Sequence, residues 1–154
     1  MARYNKYGFA VDQIICEDYA LPNKTNAALT NTVQIPSVGT GRLKVVICAS
    51  STAVELTSAA TLRITPLFGT AANACTVRAM GTIELKEGDL TLANTAGSAT
   101  TKDLPDNSTW ASGEIITEFY ISDRLAKAYD YMDINVATSA DEHADLIEAY
   151  LVVE

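Results

Sequence analysis

The sequence predicts an all-β fold, an antiparallel β-sandwich of jelly-roll-like type with one long irregular loop. Three observations support this prediction. Apolar and polar residues alternate in several stretches of about eight residues, as they do in strands with one buried face. Turn-forming residues separate these stretches, and long charged helical patterns are missing. A chain of 154 residues can form one hydrophobic core, so we expect a single domain spanning residues 1–154.

The clearest alternation lies at residues 113–122, GEIITEFYIS. The expected inner face carries Ile115, Thr117, Phe119 and Ile121. The expected outer face carries Glu114, Glu118, Tyr120 and Ser122, and Ile116 joins it as the one apolar exception. An exposed isoleucine next to a tyrosine is typical of a contact surface, so we expect Ile116 and Tyr120 to face a second sheet or subunit.

The other strands are predicted in chain order by the same pattern. They cover residues 32–35, 42–49, 59–68, 75–85 and 129–138. Pro66 lacks an N–H, which predicts an edge strand or a bulge at that point. Gly81 predicts a bend within the fourth of these strands. Residues 69–74 are predicted to form a hairpin-like turn between the third and fourth strands.

Three segments are harder to assign. Residues 139–151 fit a helix that begins with a capping box at Ser139, or a strand; the β-branched ending favours the strand. Residues 9–19 fit a short helix or an irregular strand, and residues 1–8 are predicted to form an N-terminal arm. Residues 86–112 are predicted to form the long irregular loop, which carries the only tryptophan, Trp110.

The charge distribution excludes some partners. The net charge of −8 opposes a phosphate backbone, so we expect no nucleic acid partner. The acidic C-terminal region predicts a solvated face or a docking surface for a basic partner. No apolar stretch approaches the length of a membrane span, and no signal peptide is visible, so we expect no membrane association.

No residue pattern indicates catalysis. The three cysteines are widely spaced, which argues against a disulfide framework or a zinc site and predicts buried thiols. The only histidine, His143, lies in an acidic turn without an orienting partner pattern. Carboxylates at Glu114, Glu118, Asp133 and Glu148 could form a glycosidase pair, but they fit the wet faces of strands equally well. Asp141, Glu142 and Asp145 offer oxygen ligands for calcium, although their spacing matches no EF-hand loop. We therefore expect no metal or other cofactor, and a glycosidase-like enzyme is kept only as a third hypothesis, because of the strand carboxylates.

Three stretches resemble the capsid cement (decoration) proteins of tailed bacteriophages, in particular the Bordetella-phage cement type. The first is GRLKVVICAS followed by TLRITPLFGT, and the second is CTVRAMGTIEL. The third is GEIITEFYIS followed by YDYMDINVATSADEHADLIEAYLVVE. The similarity covers roughly residues 41–154. It lies in the order of the predicted strands and not in a residue motif.

This resemblance implies a non-enzymatic virion protein that sits on the outer capsid surface and bridges major capsid protein subunits. It also implies a homodimer, with a trimer as the alternative, and synthesis in the host cytoplasm. The residues expected to contact partners are aromatic or basic residues of the arm and loop together with the strand at 113–122: Arg3, Tyr4, Tyr7, Trp110, Ile116 and Tyr120. Trp110 could equally fold back onto the sandwich.

A carbohydrate-binding or adhesin-like β-sandwich module is the alternative function. Tyr120 and Tyr131 are both predicted on outer faces of adjacent strands, where they could stack on sugar rings together with Trp110. The absence of a secretion signal and of disulfides counts against this alternative.

Overall fold

The protein forms an all-β sandwich, and its described residues include one short helix, as seen in a computed structural model. The structure describes residues 3–4, 10–11, 13–24, 26–28, 32–36, 42–57, 60–87, 92–93, 99–104 and 109–154. Its strands in chain order are β1 (Arg3–Tyr4), β2 (Ala10–Val11), β3 (Gln13–Ala20), β4 (Asn26–Ala28), β5 (Val33–Gln34), β6 (Leu43–Ala49), β7 (Val54–Glu55), β8 (Thr61–Gly69), β9 (Thr82–Glu87), β10 (Leu92–Ala93), β11 (Ala99–Leu104), β12 (Thr109–Trp110), β13 (Ile115–Ile121), β14 (Tyr131–Thr138) and β15 (Leu146–Val153). The helix α1 (Asp123–Ala128) joins β13 to β14.

Two sheets form the layers of the sandwich. The four-stranded sheet has the order β13-β6-β15-β3, and all its pairs are antiparallel. The seven-stranded sheet has the order β10-β11-β9-β8-β14-β4, and β5 also pairs with β14. One pair departs from the predicted antiparallel pattern, because β11 runs parallel to β9. Two small sheets, β1-β2 and β12-β7, complete the described strands.

The core lies between the inner faces of the two large sheets. Val45, Ile47 and Ile147 from the four-stranded sheet join one buried cluster with Ile64 and Ile134 from the seven-stranded sheet. On β14 the burial alternates residue by residue, as predicted for residues 129–138. This alternation arises because successive side chains of a strand point to opposite faces.

The predicted strand at 75–85 is wrong in its first half. The chain turns at residues 79–80, and the strand begins only at Thr82, after Gly81 with φ of 77°. This positive φ is a conformation that glycine adopts without a steric penalty. Val77, within the predicted range of this strand, makes only an isolated bridge to Phe68 and is exposed.

Pro66 lies in an interior strand, so the edge-strand alternative is wrong, but the ladder is interrupted at Pro66. Phe68 exchanges backbone hydrogen bonds with Val77, at 2.9 and 3.0 Å, on the side of β8 away from β14. Pro66 lies two residues earlier and faces the same side. Strand β9 pairs with β8 only as far as Ile64, so the missing N–H falls in a gap of the ladder.

The remaining ambiguous segments are strands. Residues 146–153 form β15, and residues 13–20 form β3, whose pairing to β15 contains register shifts. The predicted loop at 86–112 includes three short strands, β10, β11 and β12, so it is less irregular than expected. The helix α1 begins after the N-cap Ser122, whose side chain accepts a hydrogen bond from the N–H of Leu125.

Candidate interaction surface

The outer face of the four-stranded sheet carries a group of five interacting polar side chains, here called the Tyr120 cluster: Arg42, Lys44, Glu118, Tyr120 and Glu154. Adjacent strands bring these residues together, since Tyr120 pairs with Lys44 across β13 and β6. The chain places Glu154 beside Arg42 through two backbone hydrogen bonds, of 2.8 and 3.0 Å.

Tyr120 is held from two directions. Its hydroxyl donates to Glu154 Oε2 at 2.7 Å, and the Arg42 guanidinium carbon lies 3.8 Å from the centroid of its ring. This distance is typical of a cation–π contact. Lys44 Nζ lies 2.7 Å from Glu154 Oε1 and 3.2 Å from Glu118 Oε2, which links the cluster across the strands. An exposed tyrosine held in one orientation loses less side-chain entropy when a partner binds.

The pKa shifts reflect these contacts. The hydrogen bond from Lys44 lowers the pKa of the Glu154 carboxyl, and the Tyr120 hydroxyl adds to that effect. The same Glu154 carboxylate raises the pKa of Lys44 and the pKa of Tyr120. The carboxylate of Glu154 is thus the anionic centre of the cluster, with two cations around it.

Strand β13 also exposes apolar surface. Among the large hydrophobic side chains that the structure describes, Val77, Ile115 and Tyr120 are exposed, at 38, 38 and 39% respectively. Two of these three lie on β13, which is the outermost strand of its sheet. An exposed apolar side chain and an aromatic ring beside charged groups are typical of protein interfaces.

Ile116 is not part of this surface, and its predicted outward position is wrong. Ile115 pairs with Cys48 and Thr117 pairs with Ile47, so Ile116 is the extra residue of a β-bulge. The bulge reverses the alternation at this end of β13. Ile116 is therefore 4% exposed and belongs to the core, whereas Ile115, predicted to point inward, is exposed.

The other predicted contact residues have different fates. Trp110 lies on β12 opposite Val54, is 9% exposed and belongs to the core, so it folds back onto the sandwich. Arg3 and Tyr4, in the predicted arm, form β1, which pairs antiparallel with β2. This pairing is favourable because it satisfies backbone N–H and C=O groups. Tyr7 lies outside the described residues.

The tyrosine pair proposed for carbohydrate stacking is not assembled. Tyr120 lies on β13 in the four-stranded sheet, whereas Tyr131 lies on β14 in the seven-stranded sheet. The prediction that they occupy adjacent strands is therefore wrong. In addition, the Arg42 guanidinium lies over the ring of Tyr120, on which a sugar would have to stack.

The acidic turn before β15 holds neighbouring backbone instead of clustering its carboxylates. Glu142 is buried and accepts a hydrogen bond from the N–H of Thr57 at 2.9 Å. Asp145 accepts one from the N–H of Glu55 at 3.2 Å. Within the described ranges, no three or more His, Cys, Asp or Glu side chains are grouped to hold a metal ion. These two carboxylates thus attach the turn to β7 and the residues that follow it.

The nucleophile candidates lie in unreactive surroundings. His143 is exposed, and its ring Nδ1 is hydrogen-bonded to Asp141 in the same turn. Burial raises the pKa of the Cys16 thiol to about 12 and that of Cys48 to about 11. Burial also raises the pKa of Cys75. A raised pKa disfavours the thiolate, which is the nucleophilic form of cysteine.

A buried polar cluster on β15 was not predicted. Glu148, which fits a solvent-exposed strand face by its sequence pattern, is buried, and so is Tyr150. Glu148 accepts hydrogen bonds from Ser50 Oγ, at 2.7 Å, and from the Tyr150 hydroxyl, and Ser50 also bonds to Asp18. Asp18 has a φ of 46°, in a register shift of β3. The alternation of β15 gave no sign that its second face would be covered.

No helix in the described part of the chain is both long and apolar enough to cross a membrane. The chain matches no protein-family model, no curated protein and no solved structure.

Proposed function

We propose that this chain is a non-enzymatic structural protein of a bacteriophage virion, which decorates the outer capsid surface and cements the shell by bridging major capsid protein subunits. One observation carries the proposal furthest. Strand β13 combines an outermost position in a sandwich with exposed Ile115 and with Tyr120 held by Arg42 and Glu154. Such a surface suits protein contact better than it suits catalysis.

The cementing mechanism rests on mass action. A protein that binds the assembled shell but not separated subunits lowers the free energy of the shell relative to its parts. Many copies that each contact several subunits reinforce the shell even when each contact is weak. A homodimer, or alternatively a trimer, would add further bridges through its symmetry. A sandwich with a closely packed core is a suitable rigid body for such a bridge.

The proposal is tested first by whether a major capsid protein gene neighbours the gene for this chain, and then with shells assembled from that capsid protein. Wild-type protein is expected to co-sediment with these shells and to raise the temperature at which they dissociate. Tyr120→Ala is expected to weaken binding at least about tenfold, the usual effect of losing an aromatic interface anchor. The matched control is Tyr131→Ala, which truncates a tyrosine on the other sheet; its binding should stay within about twofold of wild type.

Two results would contradict the proposed function. One is a failure of wild-type protein to bind such shells under any salt condition. The other is saturable binding to members of a glycan array without any binding to shells, which would favour the carbohydrate-binding alternative.

A further inference from the structure

No described strand pairs with the outer edge of β13. In the described part of the chain, β13 pairs only with β6. An outermost strand offers its remaining N–H and C=O groups to any extended chain that comes alongside. The pairing of β6 with β15 shows which residues of β13 have backbone groups on this outer edge.

The pairing of β6 with β15 fixes the direction of each backbone group. Arg42 and Glu154 exchange both backbone hydrogen bonds, so the N–H and C=O of Arg42 point toward β15. Directions alternate along a strand, so the backbone groups of Lys44 and Val46 also point toward β15. The backbone groups of the residues between them point toward β13.

A second pair of bonds agrees with this assignment. Ala49 donates to the C=O of Glu114 at 2.9 Å and accepts from the N–H of Gly113 at 2.8 Å, so it faces the β13 side. Leu43 and Val45 lie an even number of residues from Ala49 and face the same side.

The register then identifies the outward groups of β13. Phe119 pairs with Val45 and Ile121 pairs with Leu43, so these two residues direct their backbone groups toward β6. Glu118 and Tyr120 alternate with them. Their N–H and C=O groups therefore point to the outer edge, at the spacing that one added strand requires.

Side chains beside this edge indicate what such a strand would carry. Glu118 is exposed on the outer face, and its side chain is 45% exposed despite its contact with Lys44. Opposite charges on neighbouring strands stabilise a pair, and like charges opposite each other destabilise it. The protein carries a net charge of −8, which favours a basic segment over a second acidic copy at this edge. Tyr120 offers an aromatic neighbour for an apolar side chain.

We propose that β13 captures an extended segment of a partner chain as an added strand, with a Lys or Arg beside Glu118 and an apolar or β-branched side chain beside Tyr120. Backbone hydrogen bonds would supply the affinity, and the alternate side chains would supply the selectivity. The identity of the partner as a capsid subunit rests on the proposed function, whereas the capture of a basic strand does not.

The test uses nuclear magnetic resonance of the isotope-labelled full chain with two synthetic octapeptides. One repeats Thr-Lys-Thr-Val and the other repeats Thr-Glu-Thr-Val, because Glu118 and Tyr120 share a face and the residues beside them therefore lie two apart in an added strand. In the unbound protein, the amides of Phe119 and Ile121 should exchange slowly with solvent, and those of Glu118 and Tyr120 should exchange fast. The lysine peptide should slow exchange at Glu118 and Tyr120 at least about tenfold, and the glutamate peptide should have no effect.

Two variants distinguish backbone pairing from simple charge attraction. Glu118→Pro removes an outward N–H without removing a bond to β6, and should reduce affinity for the lysine peptide about tenfold. Glu118→Thr keeps the N–H and should instead lose the preference for lysine over glutamate. If Glu118→Pro does not fold, the exchange pattern of the wild-type amides still decides the matter.

Three outcomes would overturn the inference. In the first, the amides of Glu118 and Tyr120 are already protected from hydrogen exchange without peptide, and this protection increases with protein concentration. A second copy of the chain would then be the strand that pairs with this edge. In the second, these amides stay unprotected at millimolar lysine peptide. In the third, they stay unprotected in protein bound to capsid shells, in which case the proposed function stands and the edge is not its contact.

Discussion

Strands β13 and β15 both flank β6, and both were assigned from the same alternating pattern, yet only one has a wet face. On β15, both faces are covered, and Glu148 and Tyr150 are buried with the core residues Ile147 and Leu151. On β13, Glu118 and Tyr120 stay exposed. Alternation therefore identifies the inner face of a strand, but the position of the strand in the sheet decides what happens to its outer face.

The comparison also gives the two strands different roles. β15 lies between β6 and β3, and β2 lies close to it, so its polar groups find their partners inside the protein. β13 has a neighbour on one side only, among the described strands, so it retains groups for an outside partner.

The bulge in β13 gives the largest contrast between adjacent residues. Ile116→Lys places an unpaired charge in the core and should lower the free energy of unfolding by at least about 4 kcal/mol. Ile115→Lys, one residue earlier on the exposed face, should change it by less than about 0.5 kcal/mol. Urea unfolding followed by circular dichroism measures both. An equal decrease in the free energy of unfolding for the two variants would show that the bulge is not at Ile116.

A glutamate on each strand provides the second contrast. Glu148→Ala removes the buried carboxylate that accepts hydrogen bonds from Ser50 and Tyr150, and should cost about 2–3 kcal/mol of unfolding free energy. Glu118→Ala on the exposed face of β13 should cost less than about 0.5 kcal/mol. Chemical denaturation of both variants checks the prediction, which fails if Glu148→Ala is as stable as wild type.

The cysteines should differ in reactivity according to their positions. Burial raises the pKa of Cys16 to about 12 and of Cys48 to about 11, and both thiols are buried beside β15. Cys75 is half-buried outside the strands and should react first with iodoacetamide at pH 8, followed by mass spectrometry. Simultaneous modification of all three thiols in the native protein would contradict the packing.

The same thiols give a pH dependence whose sign is fixed. Their folded pKa values lie above the unfolded value of 9.0, so the neutral thiols contribute stability below that pH. Stability should fall as the pH rises above 9, because the unfolded chain then ionises its thiols while the folded chain does not. Replacing Cys16 and Cys48 with alanine should make the decline in melting temperature between pH 9 and pH 11 less steep. The substitutions can also change the melting temperature by a constant amount at every pH, and the slope is therefore the quantity to compare.

The smallest effect concerns the Tyr120 cluster. Lys44 and Tyr120 lower the pKa of Glu154 below its ordinary value of 4.5, so their contacts persist above that pH and are lost as the pH falls through the lowered value. Carbon NMR titration of the Glu154 carboxyl should show its pKa return toward 4.5 in Lys44→Met, with a smaller rise in Tyr120→Phe. An unchanged titration in Lys44→Met would show that the ion pair does not form in solution.

The sequence predicted those parts of the fold in which one face is buried and the strand is regular. Strand β14 alternates in burial as predicted for residues 129–138, and Met132, Ile134 and Val136 are on its buried face. The bulge at Ile116 was not predictable, because an inserted residue shifts the period without changing residue types. Strand β11, with the sequence ATTKDL, has too few apolar residues to show alternation, and its parallel pairing depends on β9.

The candidate site was predicted in part. Tyr120 was recognised because it lay on the polar side of a clear alternation. Its partners Arg42 and Glu154 are far apart along the chain and meet only through the pairing of β6 with β13 and with β15. Because of the bulge, the exposed isoleucine of β13 is Ile115, whereas the alternation had predicted Ile116. Long-range pairing and local irregularity therefore account for what residue patterns alone did not indicate.

The most direct test of the account is shell binding by two lysine substitutions of equally exposed residues. Ile115→Lys alters β13, and Val77→Lys alters a residue that is 38% exposed as Ile115 is, but outside that strand. Co-sedimentation with capsid shells should show binding weakened at least about tenfold by Ile115→Lys and unchanged by Val77→Lys. Equal binding by both variants, with wild-type stability, would contradict the assignment of β13 as the contact strand.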